Sequence, residues 1–158
     1  MPKATTPPKL VLAGKLPPRS GRVFCDVERA IAASGVDPHL ILKPGFIAAE
    51  DLPLLYRSAE ALIFPSLGEG FGLTPMEAMA CGCPALVADN TSLREVVTDA
   101  AYRFATDSPG SLARLLLEAS RKRLPLNPGF NAEYFSQQRA ESDLRRILID
   151  FGHSHLLS

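Results

Sequence analysis

Two glutamates on either side of a glycine turn are the residues of this sequence best suited to chemistry. The stretch GEGFGLTPMEAMACG carries Glu69 before the turn and Glu77 after it. Gly70 and Gly72 let the backbone approach a ligand closely, because glycine has no Cβ. A helix that begins at Thr74, with proline as its next residue, directs its free N–H groups into the same space. The pattern therefore predicts a phosphate cradle made of backbone groups.

The carboxylates define the rest of the ligand. A carboxylate beside a diphosphate repels it, so both glutamates fit this site only if they meet hydroxyl groups next to the phosphates. A sugar on one side and a ribose on the other would supply such hydroxyls, which indicates a nucleotide-sugar. The turn has neither the lysine of a P-loop nor the G-x-G-x-x-G spacing, so neither an NTPase nor a dinucleotide fingerprint fits.

Simpler explanations exist for the same residues. Thr74 and Glu77 have the spacing of a capping box, in which the glutamate bonds back to the N-cap amide, and Ser92 and Glu95 repeat that spacing. Glu69 could be a solvated loop acid. The Cys-Gly-Cys that closes the helix has the wrong spacing for a zinc pair, so no metal site is predicted.

Composition limits the classes of protein. A chain of 158 residues suits one domain, and its 17 basic and 17 acidic side chains give no net field for nucleic acid or an anionic membrane. The three cysteines form no disulfide framework, the first residues are polar rather than a signal segment, and the apolar runs are too short to span a bilayer. These features indicate a protein of the reducing cytoplasm. They are also compatible with peripheral attachment to a membrane.

Short apolar runs alternate with segments of helical period. Strands are predicted in KLVLAG from Lys9, HLIL from His39, ALIFPS from Ala61 and PALVAD from Pro84. Helices are predicted from Asp26, Glu50, Thr74, Ser92, Ser111 and Ala132. Strands that are apolar on both faces and separated by helices favour a Rossmann-like, doubly wound parallel sheet, which binds ligands at the carboxyl ends of its strands.

The segment from Phe64 to Val97, FPSLGEGFGLTPMEAMACGCPALVADNTSLREVV, resembles the signature region of one enzyme family. It is similar to the C-terminal domain of the group 1, or family 4, retaining glycosyltransferases of the GT-B fold. The resemblance rests on Pro-Ser after the strand, Glu-x7-Glu, the Gly-Phe-Gly-Leu turn and the Glu-Ala-Met-Ala-Cys-Gly helix. A looser similarity covers nearly the whole chain, although the tryptophan usual after Phe-Ser is Gln137 here.

The resemblance implies a role for each residue of the turn. Glu69 would be the catalytic residue and would contact hydroxyls of the donor sugar, while Glu77 would hold the ribose hydroxyls. The diphosphate would lie on the backbone of Gly70, Phe71, Gly72 and Leu73, and the base would lie beside Gly45, Phe46 and Ile47. The donor would be a GDP- or UDP-sugar, with no metal or further cofactor required, because cationic side chains stabilise the leaving diphosphate.

In the family, those cations and the acceptor site belong to parts that precede the strand resembled by KLVLAG. We therefore expect residues 1–158 to be one donor-binding domain, with a flexible start at 1–8 and a closing helix at 132–150. Lys15, Arg19 and Arg22 could reach a phosphate or be solvated loop charges.

The expected activity is transfer of a mannosyl or glucosyl group to a glycan or lipid-linked acceptor. It would require an N-terminal domain, either missing or separately encoded, so the isolated chain is expected to be inactive. The alternative is a non-catalytic nucleotide-binding or scaffolding relic of the same fold.

Overall fold

Helices and parallel strands alternate along the chain. The computed structural model describes residues 7–15, 26–90, 92–121, 125, 127, 130, 133, 136, 138–144 and 146. The strands are β1 Leu10–Ala13, β2 Ile41–Gly45, β3 Leu62–Phe64, β4 Ala85–Ala88 and β5 Arg103–Phe104. The α-helices are α1 Val27–Ser34, α2 Leu52–Ser58, α3 Leu73–Ala80, α4 Leu93–Val96 and α5 Pro109–Arg121, and 3-10 turns span Pro38–Leu40 and Ala100–Tyr102.

The chain divides into two compact units, Met1–Leu55 and Tyr56–Ser158. In the first unit β1 and β2 pair in parallel, with Leu10 opposite Ile41. Helix α1 lies between these strands in the sequence, and the carboxylate of Asp26 caps it by accepting a 3.0 Å hydrogen bond from a backbone N–H of the first turn. The predicted helix start at Asp26 therefore has its expected physical cause.

The second unit is organised around β4. Strands β3, β4 and β5 form a parallel sheet in that order, with β4 in the centre. Every residue of β4 is buried, which explains its uninterrupted apolar sequence, Ala-Leu-Val-Ala. The largest fully buried side chains of this unit are Pro75, Met79, Cys83, Leu86, Val87, Leu93 and Val97.

A side-chain amide completes the pairing of β4 where β5 does not reach. Strand β5 pairs only with Val87 and Ala88. At Ala85, Asn127 accepts from the backbone N–H at 2.7 Å and donates to the backbone carbonyl at 2.9 Å. The asparagine is 4% exposed, and both of its polar groups are thus satisfied inside the core.

The predicted α/β class with parallel strands is confirmed, and all four predicted strands form. Strand β5 was not expected, because two residues that include Arg103 give no alternating or apolar pattern. The C-terminal segment is helical at 138–144, and the rest of the predicted closing helix and residues 1–6 of the predicted flexible start lie outside the described residues. None of the helices in the described part of the chain is long and apolar enough to cross a bilayer.

Candidate active site

The glycine turn connects the carboxyl end of β3 to the first turn of α3. Gly72 has a φ of 82°, a left-handed backbone conformation that residues with a side chain rarely adopt. A Cβ at this position would lie 3.1 Å from Cδ2 of Leu93 and 3.4 Å from Cγ2 of Val96. Gly70 is different, because it is exposed and a Cβ there would meet no atom within 4 Å. Gly72 is thus needed for packing against α4, whereas Gly70 leaves the outer side of the turn open.

Helix α3 begins at Leu73, one residue earlier than predicted, and Gly72 is its N-cap without a side-chain hydrogen bond. The capping box of Thr74 and Glu77 is therefore wrong, because Thr74 is the second helical residue rather than the cap. The N–H groups of Leu73 and Thr74 have no acceptor within the helix, and Pro75 has no N–H. The start of α3 thus offers donors and the positive end of the helix dipole beside the glycine turn.

The two glutamates stand at either side of this helix start. Glu69 is half-buried before the turn, and Glu77 is exposed on α3. Within the described residues neither carboxylate takes part in an ion pair. Burial raises the pKa of the Tyr56 hydroxyl, and the nearby carboxylate of Glu77 raises it further. Both glutamates therefore remain able to accept hydrogen bonds from hydroxyl groups of a ligand.

Two side chains that follow β4 hold the turn, and the sequence did not single out their contacts. Asn90 donates from Nδ2 to the carbonyl of Ser66 at 2.6 Å, and Ser92 donates from Oγ to the carbonyl of Glu69 at 2.7 Å. The predicted capping box at Ser92 is wrong, because its hydroxyl forms no cap of α4. The sequence feature that could have identified these two residues is their position directly after a buried strand, at the edge where ligands bind in such sheets.

An arginine pair lies at the same end of β4. Asp89 accepts a 2.9 Å hydrogen bond from Nε of Arg94, and Nε of Arg103 lies 3.1 Å from the same oxygen. Arg103 also donates to the carbonyls of Val97 and Thr98 at 3.2 Å each. These contacts connect the end of β4 with α4 and β5, so the arginines stabilise the packing of α4 against the sheet.

The residues expected beside the base belong to the first unit, at the end of β2, and Glu69–Leu73 and Glu77 belong to the second. Gly45 has a φ of 80°, and its carbonyl accepts from the N–H of Gly14 at 2.8 Å. Phe46 is 83% exposed, and Ile47 is half-buried. A cavity of about 260 Å³ at this end of β1 and β2 is lined by Leu12, Gly14, Lys15, Lys43, Gly45 and Phe46.

Only one of the three cations proposed from the first loop can be placed. Lys15 lines that cavity, while Arg19 and Arg22 lie outside the described residues, as does Cys25. The second lysine of the cavity, Lys43, is paired with Glu28 at 2.7 Å. The described residues contain no group of three or more side chains suited to hold a metal ion.

The sequence profile of the family described as "Glycosyl transferases group 1" matches residues 2–133. This range covers most of the chain and includes the glycine turn, both glutamates, and Asn90 and Ser92. The family resemblance seen in the turn is thereby confirmed.

Curated proteins give the same result over shorter segments. The chain is 52% identical over 56 residues to O-antigen chain mannosyltransferase B of Escherichia coli, which is 35% of this chain and 15% of that protein. It is 39% identical over 88 residues to the serotype-specific mannosyltransferase WbdA of Escherichia coli, which is 56% of this chain and 10% of WbdA. It is 35% identical over 125 residues to D-inositol 3-phosphate glycosyltransferase of Salinispora tropica, which is 75% of this chain and 26% of that protein. The chain thus spans a minor part of the length of these relatives.

Proposed function

The chain belongs to the group 1 glycosyl transferases, and on that premise we propose that it carries the nucleotide-sugar donor site of a retaining glycosyltransferase. The observation that carries the proposal is the turn after β3, which is exposed to solvent at Gly70 and leads directly into the start of α3. The donor diphosphate lies on the backbone of residues 70–73. N–H groups and the helix dipole stabilise the negative charge that develops on the diphosphate as it leaves.

The two carboxylates bind the hydroxyls on either side of that diphosphate. Glu77, exposed on α3, accepts hydrogen bonds from the ribose hydroxyls, and Glu69, before the turn, accepts them from the donor sugar. Support comes from the absence of ion pairs at both carboxylates within the described residues and from the failure of the capping explanation for Glu77.

The transferred group is a mannosyl or glucosyl residue. Two of the relatives are named as mannosyltransferases, and their names refer to O-antigen chains or serotype. A GDP- or UDP-sugar donor and a glycan or lipid-linked acceptor follow as the proposed substrates. Because the matched segments cover only a minor part of the relatives, we assign acceptor binding and full catalysis to a further domain joined to or associated with this one.

Isothermal titration of the purified chain with UDP, GDP and ADP, and with their glucose and mannose conjugates, tests the proposal. We expect selective binding of one base, with a dissociation constant on the order of millimolar because we assign only the donor half of the site to this chain. The corresponding nucleoside is the matched control, since it lacks the diphosphate that the turn binds. Absence of binding by every nucleotide would contradict the donor site and favour the alternative of a scaffolding relic.

A further inference from the structure

We infer that Ser92 is a positioning residue that sets the direction of the Gly70 backbone N–H, and that Asn90 supports it by anchoring the start of the same turn at Ser66. The inference rests on the proposed donor site, because it assigns the Gly70 N–H to the diphosphate. Neither side chain needs to touch the ligand. Each donates to a carbonyl of the turn, Asn90 to Ser66 at 2.6 Å and Ser92 to Glu69 at 2.7 Å.

The geometry of the peptide bond links these contacts to the ligand side of the turn. In a planar trans peptide the C=O of one residue and the N–H of the next point in opposite directions. Since the Glu69 carbonyl is directed at the Ser92 hydroxyl, the N–H of Gly70 is directed away from it. Gly70 is exposed and has no atom within 4 Å of its missing Cβ. The hydrogen bond from Ser92 therefore presents the Gly70 N–H to the open side of the turn.

Two residues of the neighbouring helix α4 pack against the turn at Gly72. Leu93 and Val96 are 0% and 6% exposed, and their side chains lie against the position of the missing Cβ of Gly72. The Ser92 hydroxyl forms no cap of its own short helix, so its described contact is with the turn. Contacts at Ser66, Glu69 and Gly72 thus fix the turn at three points from one segment.

Loss of the Ser92 hydroxyl removes the constraint on one peptide unit. Glycine at position 70 tolerates either orientation of the Glu69–Gly70 peptide, because it has access to both halves of backbone conformational space. In Ser92→Ala the peptide can rotate and place a carbonyl oxygen where the diphosphate requires an N–H. Affinity for the diphosphate should then fall, while contacts to the ribose and base remain.

The test measures nucleoside diphosphate and nucleoside binding by the whole chain and its variants, using the base that the wild type selects. We expect Ser92→Ala to weaken diphosphate binding about tenfold, with nucleoside binding unchanged by NMR titration. Ser92→Thr, which keeps the hydroxyl, should retain wild-type affinity. Asn90→Ala, which loses the amide donor without adding a negative charge beside the diphosphate, should weaken diphosphate binding in the same direction and decides the matter if Ser92→Ala does not fold.

Ser111→Ala is the matched control, because the Ser111 hydroxyl also bonds backbone carbonyls but at the start of α5. The inference is overturned, and the donor site kept, if the wild type binds the diphosphate and both Ser92→Ala and Asn90→Ala bind it as tightly as the wild type does. It is also overturned if Ser92→Ala weakens diphosphate and nucleoside to the same extent, since that indicates a general structural role. Absence of diphosphate binding by the wild type overturns the donor site and the inference together.

Discussion

At the scale of single residues, the two glutamates of the site are attached to different parts of the structure. Glu69 is half-buried, and its own backbone carbonyl is held by Ser92. Glu77 is exposed on a regular helix, close enough to Tyr56 to raise the pKa of that buried hydroxyl. The turn therefore positions Glu69 and the helix positions Glu77, so substitution of each should affect a different part of a nucleotide-sugar.

Glu77→Gln should weaken binding of the free nucleotide. The substitution keeps the size of the side chain but removes the charge that strengthens a hydrogen bond from a ribose hydroxyl, for a loss of ~1–2 kcal/mol of binding free energy. Isothermal titration gives the affinity, and thermal unfolding checks that the variant is folded. Equal affinity in a folded variant would refute the ribose role.

Glu69→Gln should act on the sugar instead. We expect weaker binding of the sugar nucleotide and an unchanged affinity for the free nucleotide, because the free nucleotide lacks the sugar hydroxyls that Glu69 accepts from. The two ligands are compared by titration of one protein preparation. A variant that loses both affinities to the same extent would show that Glu69 supports the whole turn rather than the sugar.

At the scale of elements, α4 determines the shape of the turn between β3 and α3. The sequence suggested that Gly70 and Gly72 both lack a Cβ to let a ligand approach. The structure separates them, because Gly72 faces Leu93 and Val96 with a left-handed backbone and Gly70 faces open space. The position and packing of α4 could not be derived from four residues of sequence.

Gly72→Ala should therefore destabilise the fold by about 1–3 kcal/mol, from backbone strain and the contact with Leu93. Gly70→Ala is the matched control, since its Cβ would meet nothing and Gly70 is not among the glycines with positive φ. Chemical denaturation of both variants and the wild type measures the difference. Equal free energies of unfolding for the two variants would contradict the packing role of Gly72.

At the scale of the whole molecule, the sequence predicted what depends on local pattern and missed what depends on distant partners. Apolar runs predicted four parallel strands, and the glycines and glutamates predicted the candidate site. The contacts of Asn90, Ser92 and Asn127 join residues that are 24, 23 and 42 positions apart, respectively. A single sequence contains no periodicity for such contacts, because a polar side chain finds its carbonyl only after the sheet has formed.

The stability of the whole molecule should fall at alkaline pH. Burial raises the pKa of the Cys83 thiol above its ordinary value of 9.0. The unfolded thiol then loses its proton at a lower pH than the folded one, so the stabilisation is complete below pH 9.0 and is lost as the pH rises through the higher folded pKa. Urea unfolding of wild type and Cys83→Ala between about pH 7.5 and 10.5 measures this. A pH dependence that is identical in the two proteins would exclude the thiol as its source.

The amide of Asn127 also has a consequence for the central strand of the sheet. Strand β4 has backbone groups at Ala85 that β5 does not reach, and the asparagine occupies them as a short strand would. A backbone N–H and C=O left unpaired inside the core cost free energy, because they lose their hydrogen bonds to water without a replacement. Asn127→Ala would leave both groups of Ala85 unpaired in a buried strand and should therefore loosen the start of β4.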